Sequence, residues 1–228
     1  AVADLDGDGP PEIVSGKNAW KVVWTAGPPA SATVTPYWTY SGADGYPAIA
    51  DLDADGHPEV VLTASNQVHV LDGRTGQLWC GRDPSGVQCL VPGLRTQPIN
   101  IPGGATQNRG GPPTIADFDG DGRAEFATAG YSSYTVFDPD CQTGASRGGA
   151  CGTSRTDGIL WSATIQENSC AIMGSTVFDF EGDRAAEVVY ADECFARIFD
   201  GRTGRVLWSR RRSSATWIEG PTVADVDG

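Results

Sequence analysis

Apolar residues fall in short alternating runs, broken every few positions by Gly, Asp, Pro or Asn. Residues 47–50 and 60–63 are apolar or β-branched, and Val68 and Val70 alternate with His69. Such runs read as short strands, because side chains alternate between the two faces of a sheet. No window carries the three-and-four apolar spacing of a long helix. The pattern predicts an all-β chain of short strands and tight turns.

The runs repeat. AVADLDGDGPPEIV from Ala1, AIADLDADGHPEVV from Ala48, TIADFDGDGRAEFA from Thr114 and TVFDFEGDRAAEVV from Thr176 align without gaps, and TVADVDG from Thr222 begins a fifth copy. The leading aspartates Asp4, Asp51, Asp117, Asp179 and Asp225 lie 47, 66, 62 and 46 residues apart. A unit of about 46 residues with two insertions follows. A second element recurs downstream: VHVLDGRTGQLWC from Val68 and ARIFDGRTGRVLW from Ala196. Asp and Gly suit tight turns, so D-G-R-T-G reads as the turn of a hairpin. In the third copy the hairpin is split between TVFD (135–138) and GILW (158–161).

Each unit thus reads as four antiparallel strands, spanning residues 1–45, 46–110, 111–170 and 171–218, with 219–228 starting another. A sheet with two apolar faces must pack against neighbours, and the radial arrangement that achieves this is a β-propeller. The expectation is one β-propeller region of about four blades, and a section of a longer polypeptide rather than a closed ring of four.

The loops between first and second strands carry the chemistry. Asp4, Asp6, Asp8 and Glu12 occupy positions 1, 3, 5 and 9 of the first loop. Asp51, Asp53, Asp55 and Glu59 do so in the second, and Asp117, Asp119, Asp121 and Glu125 in the third. Clustered carboxylates repel unless a cation sits among them, and an all-oxygen set suits Ca²⁺. Gly9, Gly56 and Gly122 at position 6 allow the sharp turn, and Pro10, His57 and Arg123 at position 7 would offer backbone carbonyls. An EF-hand needs an acid at position 12 between helices, whereas Ser15, Leu62 and Thr128 stand there, between strands. Loop four keeps Asp179, Glu181, Asp183 and Glu187 but has Arg184 at position 6, so a weak or lost site is expected, with Arg184 pairing with the carboxylates.

The net charge is -13, and the loops account for 18 of the 29 acidic residues. The acidity is therefore metal-loop chemistry and argues against nucleic acid as a partner. No apolar run is long enough to span a membrane. His57 and His69 are the only histidines, and no G-x-S-x-G or H-E-x-x-H motif occurs. His69 is expected to point outward from its strand.

The quoted segments resemble the FG-GAP or VCBS repeat found in integrin α-subunit propellers and many secreted bacterial proteins. The resemblance implies four-stranded blades, usually seven or eight to a ring, with structural calcium in the hairpin loops at about three sites. It implies an extracellular or cell-surface module that binds carbohydrate or protein, or packs against further blades or copies of itself. Polysaccharide lyases and structural subunits of surface filaments are the alternative roles.

The six cysteines suggest nearest-neighbour disulfides: Cys80 with Cys89, Cys141 with Cys151, and Cys170 with Cys194. Trp79, Trp161 and Trp208 share one repeat position and suit packing between blades. Trp20, Trp24, Trp38 and Trp217 look irregular, so one of them could serve a ligand surface.

Overall fold

The computed structural model describes residues 1–79, 99–103, 110–142, 157–167, 173–214, 220–224 and 226. Among these residues four antiparallel sheets of four strands follow one another along the chain. Sheet one holds β1 (Val2–Ala3), β2 (Glu12–Ser15), β3 (Asn18–Thr25) and β4 (Ser31–Thr39). Sheet two holds β5 (Tyr46–Ala50), β6 (Glu59–Ala64), β7 (Gln67–Asp72) and β8 (Ile99–Asn100). Sheet three holds β9 (Thr114–Ala116), β10 (Glu125–Ala129), β11 (Ser133–Gln142) and β12 (Asp157–Thr164). Sheet four holds β13 (Thr176–Phe178), β14 (Glu187–Ala191), β15 (Phe195–Phe199) and β16 (Val206–Arg211). Each strand pairs with its neighbour in sequence, as the repeat pattern predicts.

Local chemistry sets the turns. Ser65 and Asn66 both take positive φ, at 51° and 62°, which is the two-residue turn whose twist matches a hairpin. The D-G-R-T-G segment is tied by its aspartate: Asp72 Oδ1 accepts from the N–H groups of Arg74 and Thr75 and from Thr75 Oγ1, and Asp200 Oδ1 accepts likewise from Thr203. The two insertions behave differently. In sheet three the inserted chain lies between β11 and β12, as expected. In sheet two it interrupts the fourth strand. Leu78 bridges to Leu71, and Trp79 N–H donates to Val70 O at 2.7 Å. The strand then resumes only at β8, which pairs with Gln67 and Val68.

Among the described residues three cores lie between the sheets, one at each junction. Leu5, Val14 and Trp38 of sheet one meet Val60, Leu62 and Leu71 of sheet two. Val61, Val68 and Val70 on the opposite face meet Phe126, Phe137 and Ile159 of sheet three. Tyr134, Val136 and Trp161 meet Val188, Tyr190 and Phe199 of sheet four. Every residue of β6 is buried, because an inner sheet is covered on both faces. This corrects the expectation for His69. Its side chain does leave the Val68–Val70 face, but it enters the junction with sheet one, where only 4% stays exposed and Tyr40 Oη lies 3.0 Å from Nδ1. Burial holds the imidazole pKa below its usual value.

A tryptophan hook joins successive sheets. Trp38 Nε1 donates to Gly73 O at 2.7 Å, and Trp161 Nε1 donates to Gly201 O at 2.5 Å. Gly76 and Gly204 close the two turns at φ +64° and +68°, and a Cβ at either would come within 2.6 Å of the tryptophan ring. Glycine is therefore required there twice over, by backbone and by space. Trp38 thus belongs with the regular tryptophans. Trp217 lies outside the described residues.

Of the six cysteines only Cys194 is described with its side chain. Cys194 carries a free thiol, and its expected partner Cys170 lies outside the described residues. The turn holding Cys194 is closed by Asp192 Oδ1, which accepts from the N–H groups of Cys194 and Phe195. Cys80, Cys89, Cys151, Cys170 and the side chain of Cys141 lie outside the described residues. Among the described residues no helix is long and apolar enough to cross a membrane.

Candidate metal centres

All four acidic loops share one hydrogen-bonded frame. The position 1 aspartate accepts from the N–H at position 6: Gly9 to Asp4, Gly56 to Asp51, Gly122 to Asp117 and Arg184 to Asp179, at 2.8–2.9 Å. The position 9 glutamate reaches back with Oε2 to the N–H at position 2. Leu5 donates to Glu12, Leu52 to Glu59, Phe118 to Glu125 and Phe180 to Glu187, at 2.6–2.9 Å. Each glutamate starts a second strand, so this bond ties the loop to the sheet. Position 6 has positive φ in every loop: +103° at Gly9, +85° at Gly56, +89° at Gly122 and +74° at Arg184. Only the last carries a side chain in a backbone region that disfavours one.

The frame gathers carboxylates. Oxygens of Asp117, Asp119, Asp121 and Glu125 all lie within 4.8 Å of one another, as do those of Asp51, Asp53 and Glu59, and those of Asp4, Asp6 and Asp8. Asp55 and Glu12 fall outside these groups, and loop four forms no such group among the described residues. Burial, with the neighbouring aspartate charges adding to it, pushes the carboxyls of Glu59 and Glu125 up to about 9. An uncompensated cluster of this kind opposes ionisation, and an all-oxygen donor set with a buried glutamate fits a hard divalent ion.

Side-chain cations pair with carboxylates of the outer two loops. Lys21 Nζ lies 2.5 Å from Asp6 Oδ2, 2.7 Å from Asp8 Oδ2 and 3.8 Å from Glu12 Oε1. The hydrogen bond from Lys21 lowers the pKa of Asp6, and the bonds to Asp6 and Asp8 raise that of Lys21. The Tyr37 ring lies 4.9 Å from the ammonium, and burial together with the Asp6 charge pushes its hydroxyl up to about 12. In loop four Arg202 Nη1 binds Asp183, and this lowers the Asp183 pKa. Arg202 Nε also donates across the junction to Asp119 O at 2.9 Å. The cation on the fourth loop is therefore Arg202, from the D-G-R-T-G turn. Arg184 meets Asp179 through its backbone N–H. Asp225 and Asp227 lie outside the described residues.

Stacked four-stranded sheets with an acidic loop after each first strand define a class of β-repeat protein. The chain belongs to the FG-GAP-like repeat family, whose model matches residues 4–62 and 51–128, together more than half of it. The Vibrio cholerae biofilm matrix protein Bap1 is similar in fold, with TM-score 0.60 and 15% identity over 100% of this chain and 57% of that one. The rhamnogalacturonan lyase YesW is similar with TM-score 0.52 and 15% identity over 92% of this chain and 41% of that one. This chain spans little more than half the length of the first protein and less than half of the second. No curated protein sequence matches it.

Proposed function

We propose that the chain is part of an extracellular β-propeller in which calcium in loops two and three pins the first hairpin of the sheet, and which serves binding or adhesion. The observation that carries this is the convergence of Asp117, Asp119, Asp121 and Glu125, with Glu125 only 1% exposed at the start of β10. The matching set in loop two is Asp51, Asp53 and Glu59, with Asp55 beside it. Backbone carbonyls of His57 and Arg123 would complete the two sites. The ion's contribution is charge neutralisation and rigidity; the residues themselves set the loop shape through the frame shared by all four loops. Extracellular modules of this type bind calcium with Kd on the order of 0.1–1 mM.

The radial reading draws support from contacts of the first strands: β5 approaches β9, and β9 approaches β13. A ring would continue beyond sheet four, where Trp208 is 48% exposed while Trp38, Trp79 and Trp161 are buried. The extracellular assignment draws on the repeat family and on the fold likeness to a biofilm matrix protein.

Thermal unfolding with added calcium and with chelator tests the metal. A rise in Tm of several degrees with calcium is expected, and identical melts would overturn the reading. Glycan-array binding tests the role. The lyase-like fold supplies the second reading, and release of unsaturated product from an acidic polysaccharide would establish it over the first.

A further inference from the structure

We infer that Lys21 is the resident cation of loop one, a tethered ammonium in the role that a metal ion fills in loops two and three. The inference rests on the calcium reading of those two loops. Three observations carry it. The first is geometric: Nζ touches carboxylates at positions 3 and 5 and lies within 3.8 Å of the position 9 glutamate. Those are three of the four acids that would otherwise face an ion.

The second is register. Lys21 on β3 pairs with Glu12 on β2, while in sheet two Asp72 pairs with Glu59. The same register, continued one step past the last pair, brings Asp138 to Glu125 and Asp200 to Glu187. Three sheets therefore place an acid at this point and one places a base. The reason lies in the hairpin. In sheets two and four the aspartate caps the D-G-R-T-G turn. In sheet one β3 runs on to Thr25 before turning, so position 21 carries no capping duty and its side chain is available to the loop.

The third lies inside the loop. At position 5, Asp55, Asp121 and Asp183 each accept from the N–H at position 7, at 2.8–3.0 Å. Position 7 of loop one is Pro10, which has no N–H to give. Asp8 Oδ2 is taken by Lys21 instead. Substitution at two separate positions, 10 and 21, thus converges on one arrangement.

The test is calcium stoichiometry by equilibrium dialysis on the chain and on Lys21→Met. Two ions per chain are expected for the natural sequence and three for the variant. Equal counts of three would overturn the inference and leave the calcium reading intact. No ion in the natural chain would overturn the calcium reading, and the inference with it. Should Lys21→Met fail to fold, amide shifts of the natural chain decide: calcium is expected to move Gly56 and Gly122 and leave Gly9 in place. A calcium-dependent shift at Gly9 equal to theirs would overturn the inference.

Discussion

Loops one and three begin alike, as D-L-D-G-D-G and D-F-D-G-D-G, and fold on the same frame, yet their charge is balanced differently. In loop one an ammonium on the next strand spans Asp6 and Asp8, and burial raises the Glu12 pKa. In loop three the glutamate sits deep beneath three aspartates at about 9. The difference teaches that a metal-binding signature within one segment specifies the loop's shape, while its need for an ion is decided by residues that the fold brings in from elsewhere.

Four substitutions sharpen or break this contrast. The largest effect is expected from Asp117→Ala, which removes the acceptor for Gly120 and Gly122 and a ligand together. It should cost about 2–4 kcal/mol in urea unfolding with calcium, by loss of hydrogen bonds and of ligand linkage. Asp4→Ala breaks the equivalent bonds in loop one without losing an ion, and about 1–2 kcal/mol is expected, insensitive to chelator. Equal, chelator-sensitive losses would erase the distinction. Arg202→Met removes the Asp183 pair and the bond to Asp119 O; both groups are partly exposed, so about 1 kcal/mol is expected from the same measurement. The smallest effect is Arg184→Gly, which relieves a side chain at φ +74° and should stabilise by roughly 0.5–1 kcal/mol. It should not create a calcium site in loop four while Arg202 holds Asp183, and a calcium-dependent gain in Tm larger than that of the natural chain would refute that.

Much of this molecule was legible in the chain because its rules are local. Alternation marked β6 and β7, the D-G-R-T-G turns marked the hairpins, and the acids at positions 1, 3, 5 and 9 marked the loops. What escaped depends on register or on neighbouring sheets. Lys21 lies nine residues past Glu12 and becomes relevant only once β2 pairs with β3. Arg202 meets loop three across 83 residues of sequence. His69 alternates as an outward residue should, but in a stack the outward face of one sheet is the inward face of the next. Trp38 hid among irregular tryptophans because sheet one lacks the D-G-R-T-G turn that marks its equivalents; the turn it hooks belongs to sheet two.

The claim that two inner loops hold a divalent ion is tested most directly by diffraction from crystals grown in calcium. Anomalous peaks are predicted about 2.3–2.6 Å from carboxylate oxygens of Asp51, Asp53 and Glu59, and of Asp117, Asp119, Asp121 and Glu125. Maps with these carboxylates fanned out to water and no peak between them would contradict the account.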